Sequence, residues 1–133
     1  DVYRDYDTGW QGVTELDRSI DVQYWSIKSN GGKNTVHTYL DRGHKVYNFI
    51  SPYVYYVVGF GGDKYGTTPE ILEREWNAYH FNRGTSAIDL PAPDERILGG
   101  GYCLWSDCPA GESENELLEN LKPYIRACGK KLN

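Results

Sequence analysis

Two side chains near residue 105 have the chemistry to bind a sugar. The stretch 99–107 reads GGGYCLWSD, and we interpret it as a buried strand, Tyr102 to Leu104, that follows three glycines and ends in a Trp-x-Asp tip. An indole packs against the apolar C–H face of a pyranose, and a carboxylate accepts hydrogen bonds from ring hydroxyls. Trp105 and Asp107 are therefore candidate sugar ligands. In the alternative interpretation Trp105 fills the core and Asp107 caps the next turn, and the motif alone does not decide between the two.

The composition suits a single globular domain with a hydroxylated ligand. Of the 133 residues, 39% are hydrophobic and 25% are charged, which is typical of folded proteins. The chain has 12 Tyr and 4 Trp but 3 Phe and no Met. Tyrosine and tryptophan combine an apolar face with a polar group, which suits a sugar-binding surface but is also compatible with a tyrosine-rich core. The net charge of −5 and the lack of a Lys/Arg cluster argue against a nucleic-acid partner.

The metal-binding residue types do not predict a metal site. The chain has three cysteines and three histidines, namely Cys103, Cys108, Cys128, His37, His44 and His80. The cysteines lack the spacing of zinc ligands, so we interpret them as structural thiols, with one disulfide left open. The histidines are dispersed over predicted helices and a turn, so we expect no metal and no cofactor. No apolar run is long enough for a membrane span, and from the residues at the amino terminus we expect neither a signal peptide nor an anchor.

Strand and helix patterns alternate along the chain. After a loop over residues 1–20, β-branched and aromatic residues predict strands over 21–27, 45–51 and 99–107. Apolar spacing and capping residues predict three helices. The first covers residues 35–42, with Asn34 as its N-cap and Gly43 as its stop, and the second starts at Thr68-Pro69-Glu70 and includes Tyr79. The last helix has a Ser113/Glu116 capping box and an apolar face from Leu117 to Cys128. Pro52 leaves it open whether 53–59 extends the second strand or forms a separate loop, and 82–96 is predicted to be a connection.

This order predicts a parallel sheet in an α/β fold. Strands with near-continuous apolar character, separated by amphipathic helices, pair in parallel through right-handed crossovers. In such folds the chemistry gathers at the carboxyl ends of the strands. Trp25, the tyrosines of 53–56, Trp105 and Asp107 all follow predicted strands, so we expect them on one rim.

Three ordered motifs resemble a known enzyme family. They are Val22-Gln23-Tyr24-Trp25, then Asp41-Arg42-Gly43-His44-Lys45-Val46 with Tyr55-Tyr56-Val57, then Gly99-Gly100-Gly101 through Trp105-Ser106-Asp107. In this order they resemble the last three βα units of glycoside hydrolase family 20, the β-N-acetylhexosaminidases, over roughly residues 20 to 130. The resemblance implies a (β/α)8 TIM barrel, of which residues 1–133 would form one partial domain at the carboxyl-terminal end. It also implies substrate-assisted catalysis, in which the N-acetyl carbonyl of the sugar is the nucleophile.

The resemblance assigns roles to individual residues. Trp25 and Trp105 would form the walls of the acetamido and pyranose pocket, and Tyr56 would hydrogen-bond the acetamido oxygen as the catalytic residue. Tyr55 takes that role if the strand register is shifted by one residue. Asp107 stands where the family usually has a glutamate that binds ring hydroxyls. Val58 replaces an acid that is common two residues after the tyrosine.

The family's adjacent Asp-Glu pair, which protonates the leaving oxygen and orients the acetamide, lies on an earlier strand. Here the dipeptide Asp94-Glu95 lies in a proline-containing connection, where capping or solvation is the expected role. We therefore expect the chain to supply pocket walls without the acid, to be inactive alone, and to pair with the remainder of a larger hydrolase or with a second copy. An N-acetylhexosamine-containing glycan is the expected ligand.

Two other functions remain open from the sequence. One is a non-catalytic carbohydrate-binding module that uses the same aromatic rim, and the other is an unrelated α/β domain with packed tyrosines. The sequence does not fix the compartment, although hydrolases of this family often act on glycans outside the cell.

Overall fold

The computed structural model describes residues 16–26, 35–61 and 66–132. In chain order the elements are β1 (Val22–Tyr24), α1 (Val36–Asp41), β2 (Val46–Asn48), α2 (Ser51–Val54), β3 (Tyr55–Val57), α3 (Pro69–Glu75), β4 (His80–Phe81), a 3-10 turn (Gly84–Ser86), β5 (Ile88–Asp89), β6 (Ile97–Gly100), β7 (Cys103–Trp105) and α4 (Glu114–Leu132). Most of the predicted leading loop, together with Ile27 and Asn34, lies outside the described residues.

The strands of the described residues form three small sheets. In the first, β2 lies between β1 and β6, and Val46 is opposite Val22 on one side and Ile97 on the other. A second sheet pairs β3 with β7, and a third pairs β4 with β5. The first two sheets are parallel and the third is antiparallel. The parallel pairing predicted from the alternation of strands and helices is therefore confirmed.

The predicted capping signals act where the sequence places them. Thr68 precedes α3, and its hydroxyl oxygen accepts a hydrogen bond of 3.3 Å from the Ile71 amide. At the start of α4, the Ser113 amide donates to the Glu116 carboxylate at 2.9 Å, and the Ser113 hydroxyl accepts from the Glu116 amide at 3.4 Å. Gly43 follows α1 with φ of +89°, a conformation that glycine adopts without steric cost. These contacts depend only on near neighbours in the chain.

The stretch 99–107 is not the single buried strand that we predicted. It is divided between β6, which ends at Gly100 in the three-stranded sheet, and β7, which begins at Cys103 and pairs with β3. Gly99 has φ of +111°, so the backbone leaves regular extended geometry inside the glycine run. Leu104 is 48% exposed and Trp105 is 45% exposed, because β7 lies in a sheet of only two strands.

Two further segments differ from the prediction. Pro52 does not close a long strand but occupies the first turn of the short helix α2, after which β3 begins at Tyr55. The segment 82–96, predicted to be a connection, contains β5, which pairs with β4 as an antiparallel hairpin. Strands of two residues carry no periodic signal, so the sequence pattern could not reveal this hairpin.

The core lies around the three-stranded sheet and the helices packed on it. The largest side chains that are fully buried include Trp76, Tyr53, Tyr56, Phe81, Ile50 and Leu72. The helix α4 packs against α3 and buries Ala127 and Cys128. The apolar face predicted for the last helix is only partly buried, because Leu118 and Ile125 remain exposed.

Gly100 joins the sheet to the helical layer by close contact. A Cβ atom at this position would lie 2.5 Å from the carbonyl oxygen of Asn48 and 3.0 Å from the Trp76 indole. Both neighbours are fully buried, so neither can move aside without disturbing the core.

We predict that Gly100→Ala lowers the free energy of unfolding by about 2–3 kcal/mol, because the added methyl group overpacks this contact. Urea denaturation followed by circular dichroism measures the change. Gly129→Ala is the matched control: a Cβ at Gly129 meets nothing within 4 Å, and alanine in a helix interior is expected to raise stability by about 0.5–1 kcal/mol. Equal stability of Gly100→Ala and the unmodified protein would contradict the prediction.

Candidate functional site

The four residues predicted to bind substrate line one cleft of about 500 Å³. Its lining residues are Gln23, Trp25, Phe49, Tyr55, Val57, Cys103, Trp105 and Asp107. These come from β1 and the residue after it, from the residue after β2, and from β3, β7 and the loop that follows β7. The cleft therefore lies beside the carboxyl ends of β1 and β2, where a parallel sheet places its ligands. The structure brings together Trp25, Tyr55, Trp105 and Asp107.

Aromatic rings form two walls of this cleft. Tyr55 is directly opposite Cys103 in the β3–β7 pair, and its ring centroid lies 5.4 Å from that of Trp105 at an interplanar angle of 42°. Trp25 follows β1, and its carbonyl oxygen accepts a 2.8 Å hydrogen bond from the Ser51 amide. This bond fixes the backbone of Trp25 to the first residue of α2. The partly exposed indole of Trp105 is open to stacking on a ligand.

Polar groups accompany the rings at the same cleft. Asp107 is the only charged side chain among the described residues that line it. Gln23 adds an amide that can both donate and accept hydrogen bonds. Gln23 had no predicted role, although it alternates with the buried Tyr24 along β1 and therefore faces the other way. An apolar surface with a carboxylate and an amide can hold a polyol by stacking and hydrogen bonding.

Phe49 is a second lining residue that was not predicted from the sequence. It follows β2, and a Cβ atom at Gly101 would lie only 2.8 Å from its ring. The glycine therefore makes room for this phenyl ring in the lining of the cleft. The signal in the sequence was the glycine run itself. It indicates that another element approaches the backbone closely, but it does not identify that element.

Tyr56 does not lie with the two indoles, contrary to the prediction. Successive side chains of a strand point to opposite faces, so Tyr55 faces the cleft and Tyr56 faces away from it. The Tyr56 hydroxyl donates a 2.6 Å hydrogen bond to the Glu112 carboxylate. Burial, together with this carboxylate, raises the pKa of the Tyr56 hydroxyl well above its usual value. Tyr55, the alternative for a register shifted by one residue, is the tyrosine at the cleft.

The rear face of β3 has its own cavity. This rear cavity measures about 620 Å³ and is lined by Tyr56, Gly59, Phe60, Gly61, Glu112, Glu119, Asn120, Pro123 and Tyr124. The hydrogen bond from Tyr56 is the first cause that holds the pKa of Glu112 below its usual value, followed by the bond from the Gly59 amide. Glu112 is therefore ionised at neutral pH and serves as a hydrogen-bond acceptor.

The Asp94-Glu95 dipeptide does not line the cleft. The guanidinium group of Arg96 donates hydrogen bonds of 2.6 and 3.0 Å to the Asp94 carboxylate, and the Arg96 amide adds a third of 2.9 Å. The side-chain bonds from Arg96 are the first cause that lowers the pKa of Asp94 to about 2. A carboxylic acid with so low a pKa cannot donate a proton near neutral pH.

The cysteines are free thiols, and burial makes two of them unreactive. Burial raises the pKa of the Cys103 thiol, and it raises that of Cys128 to about 11. Because the thiolate is the reactive form, neither is a good nucleophile or metal ligand at neutral pH.

Two of the histidines, His44 and His80, have partners within the fold. The His44 Nδ1 atom lies 3.1 Å from the Ile20 carbonyl oxygen, and His80 lies between Asp89 and Tyr53.

Within residues 16–26, 35–61 and 66–132, no group of three or more His, Cys, Asp or Glu side chains could hold a metal ion. No helix in those ranges is both long and apolar enough to cross a membrane.

Comparison with solved structures gives a clear match in fold. A chain described as "Crystal structure analysis of Dispersin B" superposes with a TM-score of 0.69 at 17% sequence identity. The match covers 89% of this chain but 38% of that chain. At this level of identity the likeness shows a shared fold. No protein-family model and no curated protein sequence matches the chain.

The ion pair of Asp94 predicts a pH-dependent contribution to stability. Because its pKa is lowered on folding, the contribution is present above about pH 4 and is lost as the pH falls towards 2. We expect Asp94→Asn to lower the free energy of unfolding by about 1 kcal/mol at pH 7 and by much less near pH 2. Urea denaturation at both pH values measures this, and Glu95→Gln, at the exposed neighbouring position, is the control. A pH-independent difference between Asp94→Asn and the unmodified protein would contradict the prediction.

Proposed function

We propose that this chain is the carboxyl-terminal part of a glycoside hydrolase barrel, and that its cleft binds the N-acetylhexosamine of a glycan during substrate-assisted, retaining hydrolysis. The observation that carries the proposal is the convergence of Trp25, Tyr55, Trp105 and Asp107, which are distant in the sequence, on one cleft. Dispersin B, part of whose fold this chain matches, is a family 20 β-hexosaminidase. The motifs quoted from the sequence resemble the same family, which supports the proposal independently of the fold.

The lining residues divide the binding between stacking and hydrogen bonding. The indoles of Trp25 and Trp105 would enclose the acetamido group and the pyranose ring. Tyr55 takes the role of the tyrosine that donates a hydrogen bond to the acetamido oxygen, because it is the tyrosine on the correct face of β3. Such a bond would orient that oxygen for attack on the anomeric carbon. Asp107 would accept hydrogen bonds from ring hydroxyls.

The proton donor for the leaving group would come from outside this chain. Neither Asp94, which Arg96 holds as a carboxylate, nor Glu95 lines the cleft, and the family's acid pair lies on an earlier strand. The match to Dispersin B covers 38% of that chain, and the three-stranded sheet leaves the outer edges of β1 and β6 without a partner strand among the described residues. We propose that further βα units complete the barrel around this sheet and supply the acid.

A non-catalytic carbohydrate-binding module is the second candidate function. The aromatic character of the cleft, with Asp107 as its one charged lining residue among those described, favours this alternative. The two candidates differ in whether the complete barrel hydrolyses a glycoside, because both predict that this chain binds a sugar.

We predict that the purified chain binds N-acetylglucosamine and that Trp105→Ala weakens the binding at least about tenfold, because stacking on the indole is lost. Isothermal titration calorimetry measures both affinities. Leu118→Ala is the matched control, since Leu118 is 50% exposed but lies on α4 outside the cleft.

The same preparations are assayed with a chromogenic N-acetylglucosaminide. Binding without hydrolysis is the expected result. Hydrolysis by the chain alone would contradict the assignment of the acid to another part of the barrel. No binding of N-acetylated sugars by the unmodified protein would favour an unrelated α/β domain.

The incomplete sheet also predicts association. An unpaired strand edge presents free amide and carbonyl groups that pair with another chain. We expect the isolated chain to form dimers or larger species, because edges and apolar surface remain uncovered. Multi-angle light scattering over a range of concentrations measures the mass, and a stable monomer at all concentrations would count against the incomplete barrel.

A further inference from the structure

The Glu112 carboxylate joins three separate segments behind the cleft. Its Oε1 atom accepts hydrogen bonds from the Tyr56 hydroxyl at 2.6 Å and from the Asn120 amide at 2.8 Å. Its Oε2 atom accepts from the backbone amide of Gly59 at 3.0 Å. The three donors belong to β3, to the turn that follows β3 and to α4. Hydrogen bonds to an ionised acceptor are stronger than those between neutral groups.

The first of these bonds controls the orientation of β3. Tyr56 lies between Tyr55 and Val57, which both line the cleft on the opposite face. Because the side chains of a strand alternate, holding the phenol of Tyr56 at the rear fixes the direction in which Tyr55 and Val57 point. The ring of Tyr56 is also packed edge-on against Tyr124 of α4, with centroids 5.5 Å apart.

The bond from the Gly59 amide to Glu112 secures the loop that carries Asp107. At its beginning, the Trp105 carbonyl oxygen accepts a 2.9 Å hydrogen bond from the Val58 amide. At its end, Gly111 lies against the turn after β3, where a Cβ atom on Gly111 would be 2.5 Å from the Gly59 Cα. The bond from the Gly59 amide to Glu112 holds this contact closed. The segment from Trp105 to Glu112 is thus attached at both ends to β3 and its turn.

From these contacts we propose that Glu112 is a positioning residue for the cleft: through Tyr56 and the Gly59 amide it holds the wall of Tyr55 and Trp105 and the loop of Asp107 in the geometry that binds the ligand. Glu112 does not line the cleft and acts only through these residues. The proposal rests on the proposed sugar-binding function for its effect on affinity, but its effect on geometry can be measured without a ligand.

The experiment uses the full chain, unmodified and as Glu112→Ala, Glu112→Gln and Tyr56→Phe. Titration calorimetry with N-acetylglucosamine gives the affinity. The indole N–H resonances of the 4 tryptophans in an ¹⁵N-labelled sample report on geometry, with the Trp105 signal assigned by Trp105→Phe. Trp76 is fully buried in the core and its signal is the internal control for folding. Glu119→Gln is the matched control, because Glu119 lies in the same rear cavity but is ion-paired with Lys122 instead.

We expect Glu112→Ala to weaken binding about tenfold and to shift the Trp105 signal while the Trp76 signal stays in place. Glu112→Gln keeps one acceptor oxygen but places an amide nitrogen at the second acceptor position, so its affinity is expected to lie between those of Glu112→Ala and the unmodified protein. Glu119→Gln should match the unmodified protein. If Glu112→Ala fails to fold, Tyr56→Phe removes a single donor and is tested by the same two readouts.

An unchanged Trp105 signal and unchanged affinity in a folded Glu112→Ala or Tyr56→Phe protein would overturn the proposal. If the unmodified protein does not bind the sugar, the proposed function fails, while the Trp105 signal still decides whether Glu112 fixes the geometry.

Discussion

The parallel pairing of β3 with β7 is the interaction on which the candidate cleft depends. It places Tyr55 next to Trp105 and directs the loop of Asp107 towards the same opening. Each of the two strands has only three residues, and a two-stranded ribbon of this length has little stability of its own. Its position must therefore be maintained by side chains on both faces.

Those side chains are mostly aromatic. On the cleft side, Tyr55 packs against Trp105, and on the rear side, Tyr56 and Tyr102 pack against Tyr124 with ring centroids 5.5 and 5.8 Å apart. Three of the 12 tyrosines thus support the ribbon from the rear, while Tyr55 faces the cleft. The sequence left two explanations of the tyrosine content open, a ligand surface and a packed core. Both apply within one strand, because Tyr55 lines the cleft and the neighbouring Tyr56 is packed at the rear.

The features predicted well from the sequence are those decided by near neighbours. The caps at Thr68 and Ser113 and the stop at Gly43 involve contacts within a few residues, so the local pattern contains the information. Parallel topology also predicts a cleft at the strand ends, and Trp25, Tyr55, Trp105 and Asp107 line one cleft beside the ends of β1 and β2, while their role in ligand binding stays a prediction. Val58 is buried in the turn after β3 and does not line the cleft.

The division of 99–107 between two sheets could not be predicted, because it depends on which distant strand each half pairs with. The glycine run indicated close contacts at Gly100 and Gly101, but their partners, Trp76 and Phe49, are set by the tertiary structure. The hairpin of β4 and β5 was missed for the same reason, since its strands are too short for a pattern and are fixed by Asn48, whose amide donates to the His80 carbonyl at 2.8 Å.

Two consecutive tyrosines at the front and the rear of β3 do not make the strand tolerant of a change in length. Deleting one residue from α2 would move Tyr56 to the front position of Tyr55 and Val57 to the rear position of Tyr56. The cleft would keep a phenol, but Glu112 would lose its tyrosine donor. The number of residues between Pro52 and this strand is therefore constrained as closely as the identity of the two tyrosines.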